Sequence, residues 1–341
     1  GIAETEQAEK DFIAKCVDRV GEDVLAHVGT REVVKDLDVI RAVLGDDKLN
    51  YVGFSYGTRI GGAYAEEFPD RVRTLVLDGA VDPGQDPDEE LIEQYEGFQK
   101  AFDEYAADCA TKRDCPLGDD PAQAVANFRA LVDPLVDKPA PTVDGRELSF
   151  GDAHTGVVQA LYSPQLWPAL TKGLRELQAG QGDTLLLLAD VYQGRQDDGS
   201  YLNTNDVFLA IRCVDDPRQT DRAEAGATEM RVREVAPFVD DGRGTGQAPL
   251  DACAFWPVPN TSTPHEISVQ GLPKVVVVST TQDPATPYQA GVDLARQLGA
   301  SLVTFEGTQH TVALTGESSC VDDAVVAYLT DLTSPPEGLR C

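Results

Sequence analysis

The stretch Tyr51-Val52-Gly53-Phe54-Ser55-Tyr56-Gly57-Thr58 decides the reading of this chain. A β-favouring run (Leu49, Tyr51, Val52, Phe54) leads into a serine flanked by glycines, and a helix-compatible run from Arg59 to Phe68 follows. Strand, G-x-S-x-G and helix, in that order, form the pattern of a nucleophile elbow. The serine of such a turn is strained, and side chains at the two glycine positions would collide with the neighbouring strand and helix. The turn pushes the Ser55 hydroxyl out at the carboxyl edge of its strand, above a helix N-terminus whose backbone N–H groups favour developing negative charge. A chance glycine-rich turn is the competing reading, and the strand and helix on either side weigh against it.

Working outward, Val72 to Leu77, apolar but for Arg73 and Thr74, reads as a strand of a parallel sheet covered on both faces, and it ends in the loop Asp78-Gly79-Ala80-Val81-Asp82-Pro83. Upstream, residues 4–27 are helical in period, with Phe12, Ile13, Cys16, Val17 and Val20 on one stripe. A second helix runs from a capping Thr30 to Leu44, with Val33, Val34, Leu37, Ile40, Ala42 and Val43 as its buried side and Gly45 as its stop. From Gln85 to about Gly271 the alternation of strand and helix ceases. Helices are predicted there over 88–110, 121–133, 149–162, 165–179, 183–192, 204–213 and 221–236, separated by proline and glycine breaks. Such an excursion inside a sheet-building chain reads as an inserted cap. The stretch Gly242 to Gly246 lacks the lysine and the preceding strand of a phosphate loop and reads as a flexible connection. Trp167, Phe255 and Trp256 fit core packing or a cap-to-base contact better than a pocket lining. Alternation resumes with the strand Lys274–Ser279, the loop Thr280–Pro287, a helix ending near Gly299, a strand over 302–305, His310 in its loop, and a last helix over 321–332. The expected organisation is α/β and mostly parallel, with core parts at 1–84 and 272–341 and a helical cap at 85–271.

Hydrophobic and charged contents of 42% and 25% are ordinary for a globular protein, but the net charge of −30 is not. It argues against nucleic acid and anionic lipid as partners, since both need a basic face. A solvated acidic surface is the favoured reading, and an acidic field drawing cationic substrates such as free peptide N-termini is the sharper one. No stretch reaches the ~18 apolar residues of a membrane helix. No signal peptide is visible, and a chain starting at Gly1 leaves room for one removed upstream. The seven cysteines form no C-x-x-C or zinc-type cluster, so neither a metal nor a cofactor is expected. Their positions suit disulfides in an oxidising compartment: Cys109–Cys115 around a short turn, Cys320–Cys341 stapling the C-terminal helix to the tail, and Cys213–Cys253 closing the middle region. Cys16 is left over, its partner expected in sequence further upstream; buried free thiols in a cytosolic protein are the alternative.

A serine nucleophile needs a base, and the base an orienting acid. The four histidines are His27, His154, His265 and His310. The first three fall in the N-terminal helical region, the cap and a proline-rich linker, where a surface or satisfied histidine is the expectation. His310 follows a core strand and comes last in the order Ser…Asp…His. Two aspartates stand at strand ends, Asp283 and Asp78. Asp283 is favoured as the acid because its strand precedes that of the histidine and Pro284 and Pro287 stiffen its loop. Asp78, although some hydrolases place the acid there, is assigned to bonding loop N–H groups. One oxyanion donor is expected at the backbone N–H of Tyr56.

The motifs Gly53-Phe54-Ser55-Tyr56-Gly57-Thr58, Leu77 to Pro83, Asp283-Pro284-Ala285-Thr286-Pro287 and Gly307-Thr308-Gln309-His310-Thr311 resemble the secreted actinobacterial tripeptidyl aminopeptidases, nearest to their mycobacterial cell-envelope branch. Cys253-Ala254-Phe255-Trp256-Pro257-Val258-Pro259 and the cysteine placement extend the likeness over nearly the whole chain. The resemblance implies an exported or lipid-anchored α/β-hydrolase with a helical cap, cutting peptides from a free N-terminus and often hydrolysing esters. It carries Ser55, Asp283 and His310 over as the triad, with Thr286 supporting the site or capping a helix. Members of the family begin with further strands and a glycine-rich loop that supplies a second oxyanion N–H, and nothing like that loop precedes Gly53. Two other readings therefore stand beside the peptidase: a cell-envelope lipase or esterase, and a non-catalytic C-terminal fragment lacking the oxyanion loop.

Overall fold

A computed structural model describes residues 1–341. The apolar runs form four parallel strands: β1 (Leu49–Phe54), β2 (Val72–Asp78), and, after the long helical excursion, the pair Val276–Thr280 and Ser301–Phe305. Helix α1 (Ile2–Val20), α2 (Glu22–Leu25) and α3 (Thr30–Leu44) precede β1, and α4 (Tyr56–Glu67) joins β1 to β2. The excursion holds α5 (Pro87–Ala110), α6 (Ala124–Val132), a hairpin of β3 (Ala140–Pro141) and β4 (Glu147–Leu148), α7 (Phe150–Leu161), α8 (Trp167–Gln178), α9 (Asp183–Gln193), α10 (Thr204–Asp215) and α11 (Arg222–Val235). Past it, β5 (Val276–Thr280), α12 (Tyr288–Leu298), β6 (Ser301–Phe305) and α13 (Ser319–Asp331) complete the chain. In space the strands run β1-β2-β5-β6, so consecutive carboxyl ends share one rim.

Side-chain alternation divides the sheet's two faces. Leu75, Leu77, Val275 and Val277 pack with Tyr64, Ala65 and Leu294 from α4 and α12. The intervening Val76, Val276 and Val278 pack with Val321, Val325 and Tyr328 of α13. The helices between β2 and β5 have a separate apolar centre of Phe98, Phe102, Phe128, Leu161, Leu174 and Phe238, with the Phe102 and Phe238 rings stacked at 5.3 Å. Helix α1 joins neither: Ile13 is buried with Cys213, Val214, Cys253 and Trp256, so the N-terminus rests on the end of α10 and residues 252–255. Trp256 is core, and Trp167 packs edge-on against Tyr105 inside the helical region. The disulfides are Cys109–Cys115, Cys213–Cys253 and Cys320–Cys341, and Cys16 is a free, half-buried thiol.

Two expectations for α3 need correction. Its N-cap is Gly29, because Thr30 is already inside the helix and engaged elsewhere: its N–H donates to Asp215 Oδ1 at 2.8 Å and its hydroxyl meets that of Tyr56 at 2.7 Å. Of the supposed buried stripe, Val34 is buried but Ile40 and Val43 are 54% and 80% exposed. The helix packs chiefly on α4, so Val34 on that side is buried while Ile40 and Val43 point away from it.

The helical region meets the strand rim at α5. A Cβ at Gly97 would stand 2.6 Å from the Pro284 carbonyl oxygen and 3.1 Å from that of Asp283. Gly97→Ala should therefore cost about 1–3 kcal/mol of stability through overpacking. Urea unfolding checks this, and a variant as stable as wild type would contradict the contact.

Candidate active site

Ser55 sits between β1 and α4 with φ 52° and ψ −123°, a left-handed backbone that a serine adopts only when its surroundings hold it there. Its N–H donates to the Asp78 carbonyl at 2.9 Å, and its own carbonyl accepts from the Thr58 hydroxyl at 2.7 Å. Gly53 is required by contact, since a Cβ there would lie 2.5 Å from the Gly57 oxygen. Gly57 is less confined: a Cβ would meet only the Tyr51 hydroxyl, at 3.3 Å. Tyr56 opens α4, so its N–H belongs to the first turn of the helix, which has no acceptor within the helix.

The candidate acid and base come from the loops after β5 and β6. The Asp283 side chain is wholly buried, and its Oδ1 accepts from the N–H groups of Ala285 and Thr286, both at 2.9 Å. His310 Nδ1 lies 2.9 and 3.0 Å from the two carboxylate oxygens. A ring nitrogen between two carboxylate oxygens is a donor, which leaves Nε2 as the basic atom. The Thr286 hydroxyl is 3.3 Å from the same Nδ1. The backbone N–H of His310 donates to the Tyr162 carbonyl at 2.9 Å, and the Tyr162 ring stands edge-on to the imidazole at 5.4 Å.

Ser55 and the His310 ring border neighbouring residues at the end of β2, Asp78 and Gly79, with no hydrogen bond between the serine hydroxyl and the imidazole. Asp78 receives the Ser55 N–H, while a Cβ on Gly79, which is left-handed at φ 66°, would lie 3.0 Å from His310 Cε1. Asp78 also holds the histidine loop: its Oδ2 accepts from Val312 and Ala313 N–H, each at 2.7 Å, and its Oδ1 is buried without a partner. Burial raises the Asp78 carboxyl to about 6 even though the two loop N–H groups pull the other way. The other histidines are occupied elsewhere: His27 Nδ1 on the Asp23 carbonyl at 2.7 Å, His154 between the carbonyls of Phe150 and Phe238, and His265 on Glu66 at 3.0 Å.

The sequence reading missed two features. One is Tyr162, which joins the helical region to His310. The other is a network behind the elbow: the Tyr56 hydroxyl donates to the buried Asp215 at 2.5 Å, and Arg59 pairs with Asp216 at 2.6 Å. Nothing local to residues 162, 215 or 216 signals these roles.

A parallel sheet with a strained serine after one strand and an Asp–His pair in later loops is the arrangement of a serine hydrolase. The model of the alpha/beta hydrolase fold family matches residues 19–317, and the chain belongs to that family as a serine hydrolase. It is 58% identical over its full length to the serine protease Hip1 of Mycobacterium tuberculosis, covering 67% of that protein. It is 56% identical, again over its full length, to carboxylesterase B of the same species, covering 66%. Identity to the tripeptidyl aminopeptidase of Streptomyces lividans is 30% over 97% of the chain and 61% of that protein. The chain thus spans about two thirds of the length of these relatives.

Asp78 supplies a pH test. In the unfolded chain its carboxyl ionises near 4, and in the folded chain it keeps its proton up to about 6. Its contribution to stability is therefore intact below pH ~4 and falls as pH rises towards ~6, by on the order of 3 kcal/mol. Asp78→Asn, which cannot ionise, should gain relative to wild type between about pH 4 and about pH 7. Chemical unfolding at both pH values reads the difference, and a constant gap would show that the carboxyl is not raised.

Proposed function

We propose that the chain hydrolyses peptides from a free N-terminus, releasing short N-terminal fragments, and accepts esters at the same site. The observation that carries the reading is the His310–Asp283 pair, 2.9 Å apart, in the loop that packs against Asp78 and Gly79 beside Ser55. Ser55 Oγ attacks the scissile carbonyl as His310 Nε2 takes its proton, and Asp283 steadies the imidazolium through Nδ1. The Tyr56 N–H stabilises the oxyanion at the mouth of α4. The tetrahedral intermediate collapses, His310 returns the proton to the departing amine or alcohol, and the acyl group stays on Ser55 Oγ. Water, deprotonated by His310, then attacks the acyl carbon, and the acid product leaves with Ser55 restored. Thr286 supports the site by donating its N–H to Asp283 and keeping its hydroxyl near Nδ1.

The peptidase relatives support the substrate class, and the carboxylesterase relative supports the ester branch of the same mechanism. The three disulfides support a site of action outside the reducing cytoplasm, secreted or at the cell envelope. No helix is long and apolar enough to cross a membrane.

A fluorophosphonate probe is expected to label wild type at Ser55 and to leave Ser55→Ala unmarked. Asp283→Asn should lose about 10⁴-fold in kcat, since the wrong imidazole tautomer is then favoured. Folded wild-type protein that resists the probe and turns over neither peptide nor ester would remove the hydrolase assignment of these three residues.

A further inference from the structure

One cavity beside the elbow holds charges that the reaction itself does not use. It measures about 130 Å³, room for a chain end or one side chain, and lies between α4, α5 and α10. Tyr56, Arg59, Glu90, Phe208, Arg212 and Asp216 line it. Arg59 is spent on Asp216, and the Tyr56 hydroxyl on Asp215. Glu90 differs: it is half-buried on the first turns of α5, and its carboxylate makes neither a hydrogen bond nor an ion pair. Burial, followed by the charge of Asp216, pushes the Glu90 carboxyl above its ordinary range, while Arg59 and Arg212 pull it back. A carboxylate taken out of water without a cation gains when one arrives. Of the charged groups lining the cavity, Arg59 and Asp216 are spent on each other, which leaves Glu90 as its one unpaired carboxylate.

We propose that Glu90 binds the α-ammonium group of the peptide substrate, in a cavity between the helical region and the nucleophile elbow. The inference rests on the peptidase reading above and deepens it. An exopeptidase must measure a fixed number of residues from the chain end, which requires a charged stop held at constant distance from the nucleophile. Glu90 stands on α5, the same helix whose Gln94 donates to the Ala285 carbonyl at 2.9 Å and whose Gly97 rests on the Asp283 loop. The stop and the catalytic acid are thereby fixed to one rigid element. Arg212, which also lacks an ion-pair partner, is a donor for the carbonyl groups of the bound peptide.

The test is the ratio of kcat/KM for a free tripeptide p-nitroanilide to that for its N-acetylated counterpart, measured in wild type and in Glu90→Gln. A ratio within one enzyme cancels differences in folded fraction. Wild type is expected to favour the free amine, and Glu90→Gln to lose about 10–100-fold of that preference, the worth of a charge-assisted hydrogen bond. The loss should appear chiefly in KM. Glu90→Asp, with the charge kept but withdrawn by one methylene, should fall between the two, and it gives the same readout if the Gln variant does not accumulate. A wild-type preference that survives unchanged in these variants overturns the role of Glu90 and leaves the aminopeptidase reading standing. A wild type indifferent to acetylation overturns that reading, and the ammonium stop with it.

Discussion

The Asp78 carboxylate ties the sheet to the chemistry. One oxygen accepts two N–H groups of the loop carrying His310, while the backbone carbonyl of the same residue accepts the Ser55 N–H. A single residue at the end of β2 thus sets both the nucleophile turn and the imidazole loop, which are 255 residues apart in sequence if counted from position 55 to position 310. The cost is a buried oxygen with no partner and a carboxyl raised to about 6. Strain at Ser55 belongs to the same arrangement. A left-handed serine persists because Thr58, Gly53 and Asp78 leave it no other backbone path.

Much of this was legible in the sequence for local reasons. Val72–Leu77 and Val275–Ser279 read as strands because runs of β-branched and leucine residues dominate them, and the helical segments between residues 87 and 235 are punctuated by proline and glycine. The disulfides were readable from positions at helix ends and turns. Asp283 and His310 were found by strand order, and the structure brings them into contact.

What stayed hidden depends on chain segments far apart. The Tyr56–Asp215 bond spans 159 positions and the His310–Tyr162 bond spans 148, and no periodicity encodes such pairs. Periodicity also says which face of a helix is apolar without saying what covers it. Ile40 and Val43 lie on an apolar stripe of α3 and yet are exposed, because the helix packs on α4 through its other side. Thr30 has the chemistry of a cap but is claimed by Asp215, a competitor from another part of the chain.

The bare outer face of α3 has a colloidal consequence. Val43 and Leu44 stand bare at 80% and 72%, and apolar side chains exposed in this way adhere when molecules touch. The opposing force is the charge of −30, which makes identical molecules repel at a distance. That repulsion decays over about 30 Å in 10 mM salt but only about 8 Å at physiological ionic strength. Dilute buffer therefore keeps such molecules apart, and brine brings their bare apolar side chains within reach of each other.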